Sequence, residues 1–219
     1  MKNSNRLLII VSFLYLILPV CSGQDPYQWI TTLPKPWTLS ENQVSELLPK
    51  FHERFPDFHQ RLKAINLWRV GTPYGIFKLG EEIEPDPDPI LRIDTSDCTV
   101  HVLTSIAFTN SKDWVQTRNN MIDIHYKADD KGEKFPTFKS RWHYTSDRIT
   151  YNPYTQDKTL SLIGRSFLDS VRITLNKKTD GSEFLDLAWS PNRTVYFIPN
   201  DKIDKHFLHS LPEICGIAF

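Results

Sequence analysis

Asp94-Thr95-Ser96-Asp97-Cys98-Thr99-Val100-His101-Val102-Leu103-Thr104-Ser105-Ile106-Ala107 is the stretch around which the rest of the chain is arranged. Asp94 to Asp97 are four short oxygen-bearing residues that compete with helical backbone and favour a turn or an N-cap. Val102, Leu103, Ile106 and Ala107 follow at the i, i+3, i+4 spacing of a buried helix face. The reading is therefore loop, cap, helix, with Cys98 in the first helical turn. Orphan N–H groups and the positive end of the helix dipole gather there. Such surroundings activate thiols, and the same N–H groups are suited to holding an oxyanion. A plainer reading also stands: a free cysteine commonly packs as a small hydrophobe.

Composition narrows the classes. The 219 residues carry 26 basic and 26 acidic side chains, a balance that offers no electrostatic case for nucleic acid or a membrane surface. The length suits one domain with a sizeable core. At the N-terminus Lys2 and Arg6 precede an apolar run from Leu7 to Val20, then Cys21-Ser22-Gly23-Gln24. This is the pattern of a secretory signal peptide over residues 1–23, too short for a spanning helix. It predicts an exported protein, periplasmic or secreted, without stable membrane insertion. A lipoprotein cleaved before Cys21 is the alternative. Export leaves Cys98 and Cys215, which in an oxidising compartment could pair with each other. No Cys/His cluster has zinc-ligand spacing, so no metal and no cofactor is expected.

Outward from the central stretch, Gly71-Thr72-Pro73-Tyr74-Gly75 through Glu84-Pro85-Asp86-Pro87-Asp88-Pro89 reads as a long, proline-stiffened loop. Two helices precede it. One starts at Ser40, where Ser40-Glu41-Asn42-Gln43 is a capping box, with Val44, Leu47, Leu48, Phe51 and Phe55 as its stripe. Pro49 lies inside it and should kink or end it. The other spans Asp57 to Val70, with Phe58, Leu62, Ile65 and Trp68 inward and Gly71 as its stop. Residues 24–39 read as an extended arm pinned by Trp29 and Trp37. After the central helix another is predicted from Ser111 to Ile122, with Trp114, Val115, Met121 and Ile122 on one face. Strands follow: Val171–Leu175 paired through Asp180-Gly181 with Phe184–Ala188, then Val195–Ile198 and Ile214–Phe219. Helices first and strands after predict an α+β fold with an antiparallel sheet.

Two blocks together resemble a known family. Gly71-Thr72-Pro73-Tyr74, Leu79-Gly80-Glu81, Asp88-Pro89 and Asp94 through Asp97-Cys98-Thr99 form the first. Ser140-Arg141-Trp142-His143-Tyr144-Thr145-Ser146-Asp147 is the second. They resemble the NlpC-type papain-like cell-wall hydrolases, in the branch of exported N-acetylmuramoyl-L-alanine amidases, over roughly Trp68 to Phe219. The resemblance implies a papain-like fold, with the cysteine at the N-terminus of a helix packed on an antiparallel sheet. It implies Cys98 as nucleophile towards an amide of peptidoglycan fragments (muropeptides). Tyr74 would line the pocket and bond the oxyanion, Asp97 would cap the helix, and Arg141, His143 and Tyr144 would lie on or near the substrate face. The family's usual His-Val-Gly strand has no counterpart before Phe219. This implies a single domain over residues 40–219 that is truncated at its C-terminus, a monomer with its base unassigned among His101, His125, His143, His206 and His209.

Three functions remain open on these residues. One is an amidase cutting between N-acetylmuramic acid, or its anhydro form, and L-alanine. The second is an endopeptidase cutting within the stem peptide. The third is an inactive, truncated protein that binds muropeptides.

Overall fold

Ser40 opens the first long helix as its spacing predicts: its hydroxyl accepts from the Gln43 N–H, and the Gln43 side chain accepts from the Ser40 N–H at 2.9 Å. The computed structural model describes residues 25–187 and 191–211. Helix α1 spans Glu41–Arg54, α2 Phe58–Arg69, α3 Cys98–Thr109 and α4 Trp114–His125. Short helices α5 (Thr145–Thr150), α6 (Thr159–Ile163) and α7 (Lys205–Ser210) follow, with strands β1 (Asp169–Thr174) and β2 (Asn192–Phe197) between the last two.

Pro49 does not end α1. Its ring removes one ladder hydrogen bond, at a cost of about 3 kcal/mol in a helix interior. Val44, Leu47, Leu48 and Phe51 are buried on either side of it, and their burial outweighs that loss. Residues 25–39 are not extended throughout. They form two 3₁₀ turns, Gln28–Thr32 and Pro36–Thr38. Aromatics do fasten them: Trp29 packs edge-on to Phe51, Tyr27 stacks on Phe55, and the Trp68 indole donates to the Pro34 carbonyl at 2.8 Å.

The core is a cluster of four helices with α3 at its centre, packed against α2 and α4, while α1 lies against α2 and α4. Leu103 to Thr109 are all buried, including Thr104, Ser105 and Thr109. A helix surrounded on several sides has no single apolar stripe, and Val102, expected inward, is 54% exposed. Likewise α4 starts at Trp114 behind its Asp113 cap and buries Met121 and Ile124, leaving Val115 exposed. In α2, Arg61, Ala64 and Arg69 are buried beside Ile65 and Trp68, whereas Phe58 and Leu62 are half-buried. Arg61 donates to the Thr109, Phe55 and Pro56 carbonyls, and Arg69 to the His101 carbonyl and the Ser105 hydroxyl. Arg61 thereby satisfies helix-end carbonyls that a purely apolar core would leave orphaned.

Among the described residues the sheet has two strands, β1 and β2, antiparallel, with Asp169 opposite Phe197 and Thr174 opposite Asn192. The molecule is thus α+β. The partner of β1 differs from the expected one. Asn176, in the left-handed region at φ 61°, closes a small loop by bonding the Leu185 backbone through both ends of its amide. That loop carries the Asp180-Gly181 turn and takes residues 184–187 out of the sheet, leaving β1 to pair with β2. The signal segment 1–23, Cys215 with its possible bond to Cys98, and the strand expected at 214–219 lie outside the described residues.

Candidate active site

Twenty-eight residues separate α2 from α3, and their path pairs Tyr74 with Ser96, two residues before Cys98. Gly71, at φ 91°, ends α2 in a conformation that favours glycine. The chain then runs parallel to the segment before α3. The Ser96 N–H donates to the Pro73 carbonyl at 2.9 Å, and the Gly75 N–H donates to the Ser96 carbonyl at 3.1 Å. A Cβ on Gly75 would run into the Thr95 hydroxyl, so this close approach requires glycine. Tyr74 lies opposite Ser96 with its side chain 79% exposed.

Asp97 is the joint between this loop and the helix. Its Oδ1 accepts from the Val100 N–H at 2.8 Å, the N-cap bond expected from its position. Its Oδ2 accepts from the Phe77 N–H at 3.3 Å. Cys98 is the first residue of α3 and is exposed. The N–H groups of Cys98 and Thr99 have no acceptor among the described residues. A carbonyl attacked by the thiol would find these donors next to it.

A second wall comes from the end of α4 and the residues after it. The Trp142 N–H donates to the His125 carbonyl at 2.7 Å and the Lys127 N–H to the Ser140 carbonyl at 2.8 Å, drawing the second sequence block alongside α4. Arg148 reaches back from α5 and donates through Nε to the Trp142 carbonyl. Burial lowers its pKa to about 10, Arg141 adds to that, and the Asp97 carboxylate opposes it.

His143 is half-buried, its ring 4.6 Å from that of Phe138 and its Nε2 2.8 Å from the Phe138 carbonyl oxygen. A carbonyl only accepts, so Nε2 carries the proton and Nδ1 keeps the lone pair. Burial pushes the imidazole down to about 4; the carbonyl bond opposes this, while Arg141, Arg148 and Lys127 reinforce it. His125, fully buried at the end of α4, is held well below the usual range by burial first and then by Arg148, Arg141 and His143. His101 is half-buried and its Nε2 lies 2.9 Å from the Asn66 side-chain oxygen on α2. His206 and His209 are exposed.

Tyr74 thus lies opposite Ser96 in the segment that leads into Asp97 and Cys98, and His143, half-buried Tyr144 and Arg148 belong to the second wall. Arg141 is buried and otherwise occupied. It donates to the Leu79 carbonyl at 2.8 Å and to Asp86 at 2.9 Å, and its Nε lies 3.1 Å from Glu81. The Tyr126 hydroxyl donates to the Gly80 carbonyl and to Glu81. Burial raises the Glu81 carboxyl in spite of Arg141. Sequence reasoning missed Phe77 and Arg148. Arg148 directly follows the second block, but nothing in the sequence turns it back onto the Trp142 carbonyl.

The molecule is an α+β protein whose exposed thiol opens its central helix beneath an Asp cap. A model of the N-acetylmuramoyl-L-alanine amidase-like family matches residues 65–218, and the chain belongs to that family. It is similar in fold to the crystal structure of protein LPG0564 from Legionella pneumophila str. Philadelphia 1, matched by a model of a domain of unknown function, DUF1460. The likeness covers 80% of this chain and 70% of that one at a TM-score of 0.56 and 19% identity. No curated protein matches the sequence. The family points to a peptidoglycan-related substrate.

Proposed function

We propose that the chain is an exported cysteine amidase with a papain-like fold, hydrolysing the amide between N-acetylmuramic acid, or its anhydro form, and L-alanine in peptidoglycan fragments. The observation that carries this reading is the family match across the segment in which Cys98 opens α3 under the Asp97 cap. In this reading the Cys98 thiolate attacks the lactyl carbonyl carbon and the oxyanion is held by the Cys98 and Thr99 N–H groups and the Tyr74 hydroxyl. The C–N bond breaks as the L-alanine nitrogen takes a proton and leaves as an amine. Water then cleaves the thioester, releasing the sugar-lactyl carboxylate and restoring the thiol. His143, with its lone pair on Nδ1, is the group suited to take the thiol proton and return it to the amine. Tyr144 borders the substrate, Asp97 orients the helix, and Arg141 acts by holding the loop.

The test is incubation of the mature chain with purified muropeptides, followed by mass spectrometry. Release of intact stem peptide, abolished by Cys98→Ala, is the expected result. Cleavage within the stem would make the chain an endopeptidase, and binding without turnover would make it a muropeptide-binding protein.

A further inference from the structure

Two unlike surfaces meet at Asp97. One is the segment Val70 to Phe77, in which no residue bears a charged side chain. Its Tyr74, Ile76 and Phe77 are 79%, 50% and 85% exposed. Phe77 is the most exposed of the chain's large hydrophobic side chains among the described residues, and its backbone sits at φ 53°, a region that disfavours a bulky residue. The bond from its N–H to the Asp97 carboxylate holds it there. An aromatic ring presented to solvent on strained backbone, one hydrogen bond from the helix cap, gains nothing for the core; strain of this kind collects at ligand clamps. The other lies around half-buried Arg148, whose Nε donates to the Trp142 carbonyl and whose charge bears on His143 and on Asp97.

The substrate of the proposed amidase has the same division. On one side of the scissile amide lies an acetylated, uncharged sugar, and on the other a peptide bearing carboxylates. We propose that Phe77, with Tyr74 beside it, is the platform on which the sugar ring stacks, so that the stem peptide leaves Cys98 towards Arg148. This inference rests on the amidase reading. The physical basis is that an aromatic face is negative and the axial C–H bonds of a pyranose are slightly positive, so the two pair face to face. The carboxylates of the stem are in turn drawn to the guanidinium.

The experiment compares kcat/KM for a sugar-bearing muropeptide with that for the same lactyl-peptide lacking the sugar. In the unaltered chain the sugar should raise kcat/KM about tenfold or more, the equivalent of one good stacking contact. In Phe77→Ala and Phe77→Leu the ratio should fall towards one, and in Phe77→Tyr it should return. Equal losses on both substrates, or no sugar preference in the unaltered chain, would overturn the platform while leaving the amidase standing. If no chain turns over either substrate, calorimetry of Cys98→Ala protein with the free disaccharide decides. Sugar binding that depends on Phe77 keeps the platform and removes the amidase reading, whereas absence of sugar binding removes the platform.

Discussion

His143 shows how one residue's surroundings choose its chemistry. A free imidazole titrates near 6.5; burial and three neighbouring cations hold this one at about 4, as a neutral Nε2–H tautomer. Between those values the unfolded chain binds a proton that the folded chain refuses. The contribution to stability is therefore complete above about pH 6.5 and is lost as pH falls towards 4, and His125 adds in the same direction. An NMR titration of the His143 ring carbon should show a midpoint near 4, and a midpoint near 6.5 would show a solvated ring. In the amidase reading the acid limb of kcat/KM follows that low value, and His143→Ala lowers kcat by roughly a hundredfold to ten-thousandfold. His101→Ala should have far less effect on turnover, because its Nε2 is engaged by Asn66 on α2.

At the scale of elements, the loop and α3 work as one unit through Asp97 and Gly75. Asp97→Ala removes an N-cap, which costs about 1 kcal/mol, and also frees the Phe77 backbone. Asp97→Asn keeps an oxygen for the Val100 N–H and should lose less; thermal unfolding of the two variants measures the difference. Gly75→Ala drives a methyl into the Thr95 hydroxyl and should lift the Tyr74 segment from the helix N-terminus. A shift of about 1 Å there is expected to cost up to roughly a hundredfold in kcat/KM. Thr95→Ala in the same chain removes the obstructing oxygen and should restore most of the loss, which steady-state kinetics would show. The β1–β2 hairpin makes the opposite point about elements. Val171 to Leu175 was legible as a strand, but its partner was set by Asn176, whose amide ties off the intervening loop.

Across the whole molecule, the Arg141–Glu81–Asp86 cluster joins the second sequence block to the loop before α3. Glu81 is buried, so Arg141→Met leaves a carboxylate without its cation, at a cost of about 3–5 kcal/mol. Adding Glu81→Gln removes the uncompensated charge and should recover part of that loss. Urea unfolding of the four chains in the cycle gives the coupling energy, and additive losses would show that the pair is not coupled. Such a clamp explains why an arginine in a motif next to the candidate site need not touch substrate: it holds the loop that does.

What the sequence determined by itself is local. The Ser40 cap, the stop at Gly71, a cap within Asp94 to Asp97 with Cys98 in the first turn of α3, and the mixed α+β class all follow from rules that act within a few residues. The two blocks were also enough to bring the amidase family into view. Only the tertiary structure decided which faces are buried. α3 is enclosed by its neighbours, so Thr104 and Ser105 lie inside while Val102 lies outside, and no periodicity records that. It likewise decided that Arg141 is a clamp, that the strand partner of β1 is β2, that the Phe77 N–H bonds Asp97, and that Arg148 reaches back to the Trp142 carbonyl. Those pairings link residues far apart in the chain, and their energies depend on burial and on which charges share a low-dielectric space, properties that exist only once the chain has closed on itself.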